Sequence, residues 1–143
     1  MTLSRNLVLA QKAYAGALRG PYEDFIALLD EDVNIILPAS LPHGGKYTGK
    51  SGAQELRSRL LSTWAAFDVE VLEYLTGTDS VVALIRLKGV LKSTGKSVDM
   101  PIAEYWRFRA GLVRDLVAYY FDTHVVVEAD RRATAPDVNG RVR

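Results

Sequence analysis

The sequence predicts an α+β fold, with helices packed on one face of a bent mixed or antiparallel sheet. Three observations predict it. Apolar residues recur at three- and four-residue spacing in the first third of the chain. From Phe67 onwards the period falls to two. The later apolar runs are joined only by short turns, and parallel crossovers need a dozen or more residues, so those strands form an antiparallel meander.

Leu3, Leu7, Ala10, Tyr14 and Leu18 form one face of a first helix, with Ser4 a candidate N-cap. Gly20-Pro21 ends it, and proline suits the first turn of a second helix. That helix should carry Tyr22, Phe25, Ile26, Leu28 and Leu29 inward and stop near Asp30. Val33 to Leu37 reads as a short strand closed by Pro38, and Ala39 to Lys50 as a loop of turns. Ser51 with Gln54 has capping-box spacing and opens a third helix, with Ala53, Leu56, Leu60 and Trp64 in one stripe. Phe67, Val69 and Val71 alternate with Asp68 and Glu70, which is strand logic. After the turn Thr76–Ser80 comes a strand over Val81–Leu91, then the turn Lys92–Lys96, then two long strands. No internal repeat interrupts the run. A single domain is expected over 1–130, and the tail 131–143, without apolar period, is expected to be disordered.

The last two strands fold back at Ala110-Gly111, which as a two-residue hairpin pairs Arg109 with Leu112. Strict counting from there puts Ile102, Glu104, Trp106 and Phe108 on one face with Val113, Val117, Tyr119 and Phe121. Tyr120 and Asp122 then face the other way. One extra residue in the last strand, a β-bulge, reverses that and brings Tyr120 and Asp122 to the Glu104 face. Strongly bent sheets need such kinks, which favours the bulge.

Lys and Arg (18) nearly cancel Asp and Glu (17), and the basic residues are dispersed, so no field draws nucleic acid or an anionic membrane. No cysteine is present, which removes disulfides, thiolate nucleophiles and cysteine-ligated metals. No stretch approaches 18 uninterrupted apolar residues, and the first residues show no secretory signal pattern. The expected location is cytoplasmic. Gly44-Gly45 lacks the strand–loop–helix setting and the lysine of a phosphate loop, no ligand spacing marks a metal site, and no cofactor is expected.

The segments 20–33, 41–49, 94–101, 104–111 and 119–122, taken in order and spacing, resemble the SnoaL-like branch of the nuclear-transport-factor-2-like superfamily. That superfamily includes ketosteroid isomerase and limonene epoxide hydrolase, and the resemblance covers about residues 3 to 130. It implies a cone-shaped barrel, a bent sheet wrapped round three helices, with a pocket at the wide end and homodimers packed through the sheet. It also implies an acid or histidine at the position of Glu104. The acidic base of the polyketide cyclases falls near Ala118, where alanine cannot do that work, and the epoxide hydrolase set of one arginine and two aspartates has no counterpart.

Glu104, among Ile102, Trp106 and Phe108, is the first candidate for catalysis. A carboxyl in apolar surroundings has its charged form disfavoured and can exchange protons near neutral pH. The alternative is a structural glutamate paired with arginine or a tyrosine hydroxyl. Asp122 is a second candidate carboxylate at the pocket mouth, or else the cap of a C-terminal helix, although Val125-Val126-Val127 is a poor helix start. His43, in a loop whose paired glycines would let it move as a lid, is a candidate proton carrier or else a solvent-exposed loop histidine. Tyr14, Trp64, Trp106 and Tyr120 are candidate substrate-binding residues, the tyrosine hydroxyls donating to a carbonyl. The leading expectation is therefore a cofactor-free isomerase, cyclase or hydratase acting on an apolar carbonyl compound. Its rival is a non-catalytic ligand-binding or interaction module on the same fold.

Overall fold

The computed structural model describes residues 4–131 and shows helices packed on one face of a six-stranded bent sheet. Helix α1 (Arg5–Arg19) begins at Ser4, whose hydroxyl accepts from the Leu7 amide, and buries Ala10, Ala13 and Tyr14. Helix α2 (Tyr22–Ile26) is shorter than its apolar pattern predicts. Leu28 and Leu29 leave the helix because the sheet offers them more: Leu29 opens strand β1 (Leu29–Leu37) beside Val113 and is almost wholly buried. The expected short strand is thus nine residues long.

Strand β2 (Gly45–Thr48) falls where only a loop was expected and pairs with β1. Helix α3 (Gly49–Thr63) starts ahead of Ser51, so the Ser51–Gln54 capping box does not form; Thr48 is the N-cap residue and makes no side-chain cap bond. Trp64 is not the last turn of α3 but the first residue of strand β3 (Trp64–Thr76). Strands β4 (Ser80–Leu91), β5 (Ser97–Arg109) and β6 (Leu112–Tyr120) follow as the expected antiparallel meander. Helix α4 (Thr123–Asp130) forms despite its three valines, because Val126 and Ala129 find buried sites. The expected disordered tail, apart from Arg131, lies outside the described residues.

Strand order is β2-β1-β6-β5-β4-β3, and β1 runs parallel to β6. The sheet is therefore mixed, and it is not a closed barrel: β2 and β3 are its two edges, with no pairing between them among the described residues. The helices fill the concave side. The core runs from Ala10 and Ala13 of α1 through Val33 and Ile35 of β1 to Val81, Ala83 and Leu91 of β4.

The β5–β6 hairpin turns as its two central residues predict. Ala110 (φ 52°) and Gly111 (φ 78°) both take positive φ, the requirement of the tight turn whose twist matches its strands, and Arg109 pairs with Leu112. Register then slips once. Phe108 faces Val113, but Arg107 faces Asp115, so Arg114 is the extra residue of a bulge. Beyond it Trp106 pairs with Leu116, Glu104 with Ala118 and Ile102 with Tyr120.

Gly89 of β4 makes room for the Trp64 ring. A Cβ built there would lie 2.7 Å from Trp64 Cε3 and Cζ3. Gly89→Ala is expected to displace that indole and to cost about 1–3 kcal/mol, seen as a melting point lower by several degrees in a thermal scan. An unchanged melting point would mean that the ring does not rest on this glycine.

Candidate functional site

Between the concave face and helices α1, α2 and α3 lies a cavity of about 470 Å³, within the range of small-molecule pockets. Its walls are mainly apolar: Phe25, Leu37, Leu56, Ile85, Leu87 and Ile102 are among them. The exposed residues Leu18, Arg57, Leu61 and Asp68 also border it and mark its mouth. Period-two alternation in β5 sends Ile102, Glu104 and Trp106 inward, and the Arg114 bulge sends Leu116, Ala118 and Tyr120 to the same side.

Glu104 is the carboxylate in this space. Tyr14, arriving from α1, donates its hydroxyl to Glu104 Oε1 at 2.6 Å. Trp106 Nε1–H donates in turn to Tyr14 Oη at 3.1 Å, with the two rings edge to face at 5.2 Å. Glu104 Oε2 has no protein partner among the described residues, yet it is not sealed off: it keeps some accessible surface, and its residue lines the cavity. The exposure Glu104 keeps is therefore to the cavity. Burial raises the Glu104 pKa above the usual carboxylate value, and the hydrogen bond from Tyr14 partly opposes that rise. Burial, and then the Glu104 charge, likewise raise the pKa of Tyr14 far above that of a free phenol.

Tyr120 lines the cavity beside these groups, and burial followed by the Glu104 charge raises its pKa too. Its hydroxyl lies 2.9 Å from His43 Nε2. His43 is not a solvent-exposed loop residue: it is fully buried, behind Tyr120 and edge-on to Trp64, and it is not a wall of the cavity. Burial pushes its pKa down to about 4, so the ring is neutral at neutral pH. Nor is its loop built as a lid. Tyr47 Oη donates to the His43 carbonyl at 2.8 Å, and Gly44 packs so closely that a Cβ there would fall 1.9 Å from the Pro38 carbonyl oxygen. Glycine at this position permits contact, not motion.

Asp122 stands apart from the cavity. Strand β6 ends at Tyr120, and the Asp122 carboxylate accepts from the His124 amide as the N-cap of α4. The bulge turns β6 as expected, but the strand stops before it can carry Asp122 inward. The structure thus brings together Glu104, Tyr14, Trp106, Tyr120 and Trp64 around one space, sets His43 behind them and leaves Asp122 outside. Arg57 was missed by sequence reading. It borders the mouth, makes no ion pair among the described residues and lies 4.7 Å over the Tyr22 ring. Its place directly after Leu56, at the margin of the α3 stripe, was the available signal. No group of three or more metal-ligating side chains occurs among the described residues, and no described helix is long and apolar enough to cross a membrane.

This fold, with an acid on the inner face of its sheet, defines a class: the chain belongs to the SnoaL-like domain family, which matches residues 10–116. No functionally curated protein matches the sequence. Among solved structures the chain is similar to an NTF2-like protein of unknown function from Burkholderia pseudomallei, with TM-score 0.84, 18% identity, and 91% of this chain and 100% of that one covered. It is similar to a candidate SnoaL-like polyketide cyclase from Jannaschia sp., with TM-score 0.78, 15% identity, and coverage of 92% and 99%. It is also similar to a protein with a ketosteroid isomerase-like fold from Catenulispora acidiphila, in complex with trimethylamine, with TM-score 0.72, 18% identity, and coverage of 87% and 93%. At these identities the likeness shows the fold.

Two buried groups set opposite pH dependences. Glu104 holds its proton in the fold above the 4.5 at which the unfolded chain releases it, so its contribution to stability falls as pH rises from 4.5 through the folded midpoint. His43 refuses a proton down to about 4 while the unfolded chain takes one up near 6.5, so stability falls as pH drops through that window, by at most about 3 kcal/mol. Glu104→Gln keeps an acceptor for Tyr14 and removes the charge. It is expected to melt higher than the wild type at about pH 8 and to lose that advantage below pH 4.5, read by calorimetry across pH. An equal difference at every pH would show that Glu104 is not a shielded carboxyl.

Proposed function

We propose that this chain is a cofactor-independent enzyme of the isomerase or cyclase type, acting by proton transfer on an apolar carbonyl compound. The observation that carries the reading is the Glu104 carboxyl: shielded inside an apolar cavity, held at one oxygen by Tyr14, and open to that cavity at the other. In the carboxylate form, Oε2 takes a proton from a carbon next to the carbonyl. The C–H electron pair becomes the enolate, whose oxygen receives a hydrogen bond from Tyr120. Protonated Glu104 then returns the proton to another carbon of the conjugated system, and the charge balance is restored. Tyr14 fixes the carboxyl rotamer and keeps its pKa from climbing further. The solved neighbours named for polyketide cyclase and ketosteroid isomerase-like fold support this reading by analogy of scaffold.

β-Tetralone, an apolar bicyclic ketone with acidic α-hydrogens, provides a test. Deuterium incorporation from deuterated water, followed by proton NMR, should be accelerated by the wild type and slowed about 10²–10⁴-fold by Glu104→Gln. An acceleration that survives in a folded Glu104→Gln variant would exclude Glu104 as the proton carrier. Binding without any acceleration would favour the second reading, a module that only holds its ligand, which the self-satisfied Trp106–Tyr14–Glu104 chain would also suit.

The chain also acts, on this proposal, as a homodimer through the convex face of the sheet. That face presents Val82, Leu84, Ala103, Tyr105, Val117 and Tyr119 in adjoining rows, none of them buried. Sedimentation equilibrium should give twice the chain mass, and Tyr105→Glu should give single chains. A wild type that stays monomeric at about 100 μM would contradict it.

A further inference from the structure

One buried side-chain polar atom among the described residues has no partner: His43 Nδ1. Native interiors leave few such atoms, and each calls for a reason. The other ring nitrogen, Nε2, lies 2.9 Å from Tyr120 Oη, so one proton sits between them and either group can be its donor. The two arrangements differ in what they leave orphaned. If Tyr120 donates to Nε2, the ring proton sits on Nδ1, and a buried N–H has no acceptor. If Nε2–H donates to Tyr120, only a lone pair on Nδ1 goes unmatched. Among buried backbone groups an orphaned N–H is rarer than an under-satisfied acceptor, and the same desolvation cost applies to a ring N–H. No described group accepts from Nδ1: Trp64 stands edge-on to the ring, and the Asp130 carboxylate, near enough for its charge to oppose the fall in the His43 pKa, makes no hydrogen bond to it.

From this inventory we infer that His43 is a positioning residue: its Nε2–H donates to Tyr120 Oη, so the Tyr120 hydroxyl proton is directed into the cavity as a donor for an anionic oxygen. The side chain of Tyr120 then has no protein acceptor for its own proton among the described residues. Burial keeps the ring neutral at neutral pH, so it carries one proton and offers only these two tautomers. The rigidity of the segment suits the task. Tyr47 holds the His43 carbonyl, and Gly44 is pressed against Pro38, so the backbone that carries the imidazole is held in place. The ligand class that follows is a planar apolar molecule with an enolate- or phenolate-like oxygen. The inference rests on the proposed carbonyl chemistry for its purpose, but its test requires no turnover.

Two measurements decide it. Nitrogen-15 NMR of the histidine ring in the wild type should show a protonated Nε2 and a bare Nδ1 for His43; the reverse tautomer overturns the inference, with or without any ligand. p-Nitrophenol then serves as the probe, with its bound phenolate read by visible absorbance. Tyr120→Phe should weaken phenolate binding by about tenfold. His43→Phe should weaken it as well, because Tyr120 loses the donor that polarises and orients it. With the opposite tautomer, removing His43 would instead free the Tyr120 proton and strengthen phenolate binding, which also overturns the inference. If His43→Phe fails to fold, the ring tautomer and the Tyr120→Phe loss carry the decision. A protonated Nε2 together with no deuterium exchange in β-tetralone would count against the proposed reaction and leave this arrangement in place.

Discussion

One surplus residue in the last strand determines what the concave face contains. Without the bulge that leaves Arg114 unpaired, strict alternation from the hairpin would face Glu104 with Val117 and turn Tyr120 out to the convex surface. With it, Leu116, Ala118 and Tyr120 all join Ile102, Glu104 and Trp106 over the cavity. The bulge costs local ladder hydrogen bonding but bends the strand. Bending lets the sheet curl around helices α1, α2 and α3 and leave a space instead of a flat packed interface. The sheet curls enough to enclose a cavity without closing a barrel, and β2 and β3 remain its edges.

Within that space the fold tolerates a buried acid by giving it a short polar chain. Trp106 N–H, the Tyr14 hydroxyl and Glu104 Oε1 satisfy one another in sequence, each link crossing from sheet to helix or back. Breaking such a chain in an apolar interior costs more than an equivalent bond on the surface, since the freed group finds no water. The chain is also incomplete by one atom. Oε2 borders the cavity with no protein partner among the described residues, which leaves it open to water or to a guest molecule. His43 presents the same pattern one layer further back, where a bare Nδ1 accompanies a fixed contact to Tyr120. Of these two atoms, Oε2 borders the hollow and Nδ1 lies behind its wall.

The scaffold does not choose the chemistry. Ala118 sits on the inner face directly across from Glu104, so the place where an acid of the polyketide cyclases falls by resemblance is occupied by a methyl group. Among the described residues only one carboxyl reaches the deep part of the cavity, since Asp122 caps α4 and Asp68 lies exposed at the mouth. On the proposed reading, the acid–base cycle runs through a single carboxyl that gives back the proton it takes. That favours a rearrangement over a hydrolysis needing separate acid and base.

Much of this was written in local pattern. The α1 stripe with its Ser4 cap, the antiparallel meander from β3 to β6, the Ala110-Gly111 hairpin and the inward aspect of Glu104 all depend on neighbours a few residues apart, and periodicity reports such neighbours directly. Leu28, Leu29 and Trp64 show where that ends: helical spacing claimed them, but long-range pairing with β6 and packing on Gly89 were worth more than another helical turn. The parallel β1–β6 pair, the short β2, the burial of His43 and the Tyr14 bond to Glu104 join residues tens of positions apart. The sequence by itself determined which groups were available and which strands could hold them. Tertiary structure alone decided which of those groups meet, because contact between distant segments depends on a register that one extra residue is enough to invert.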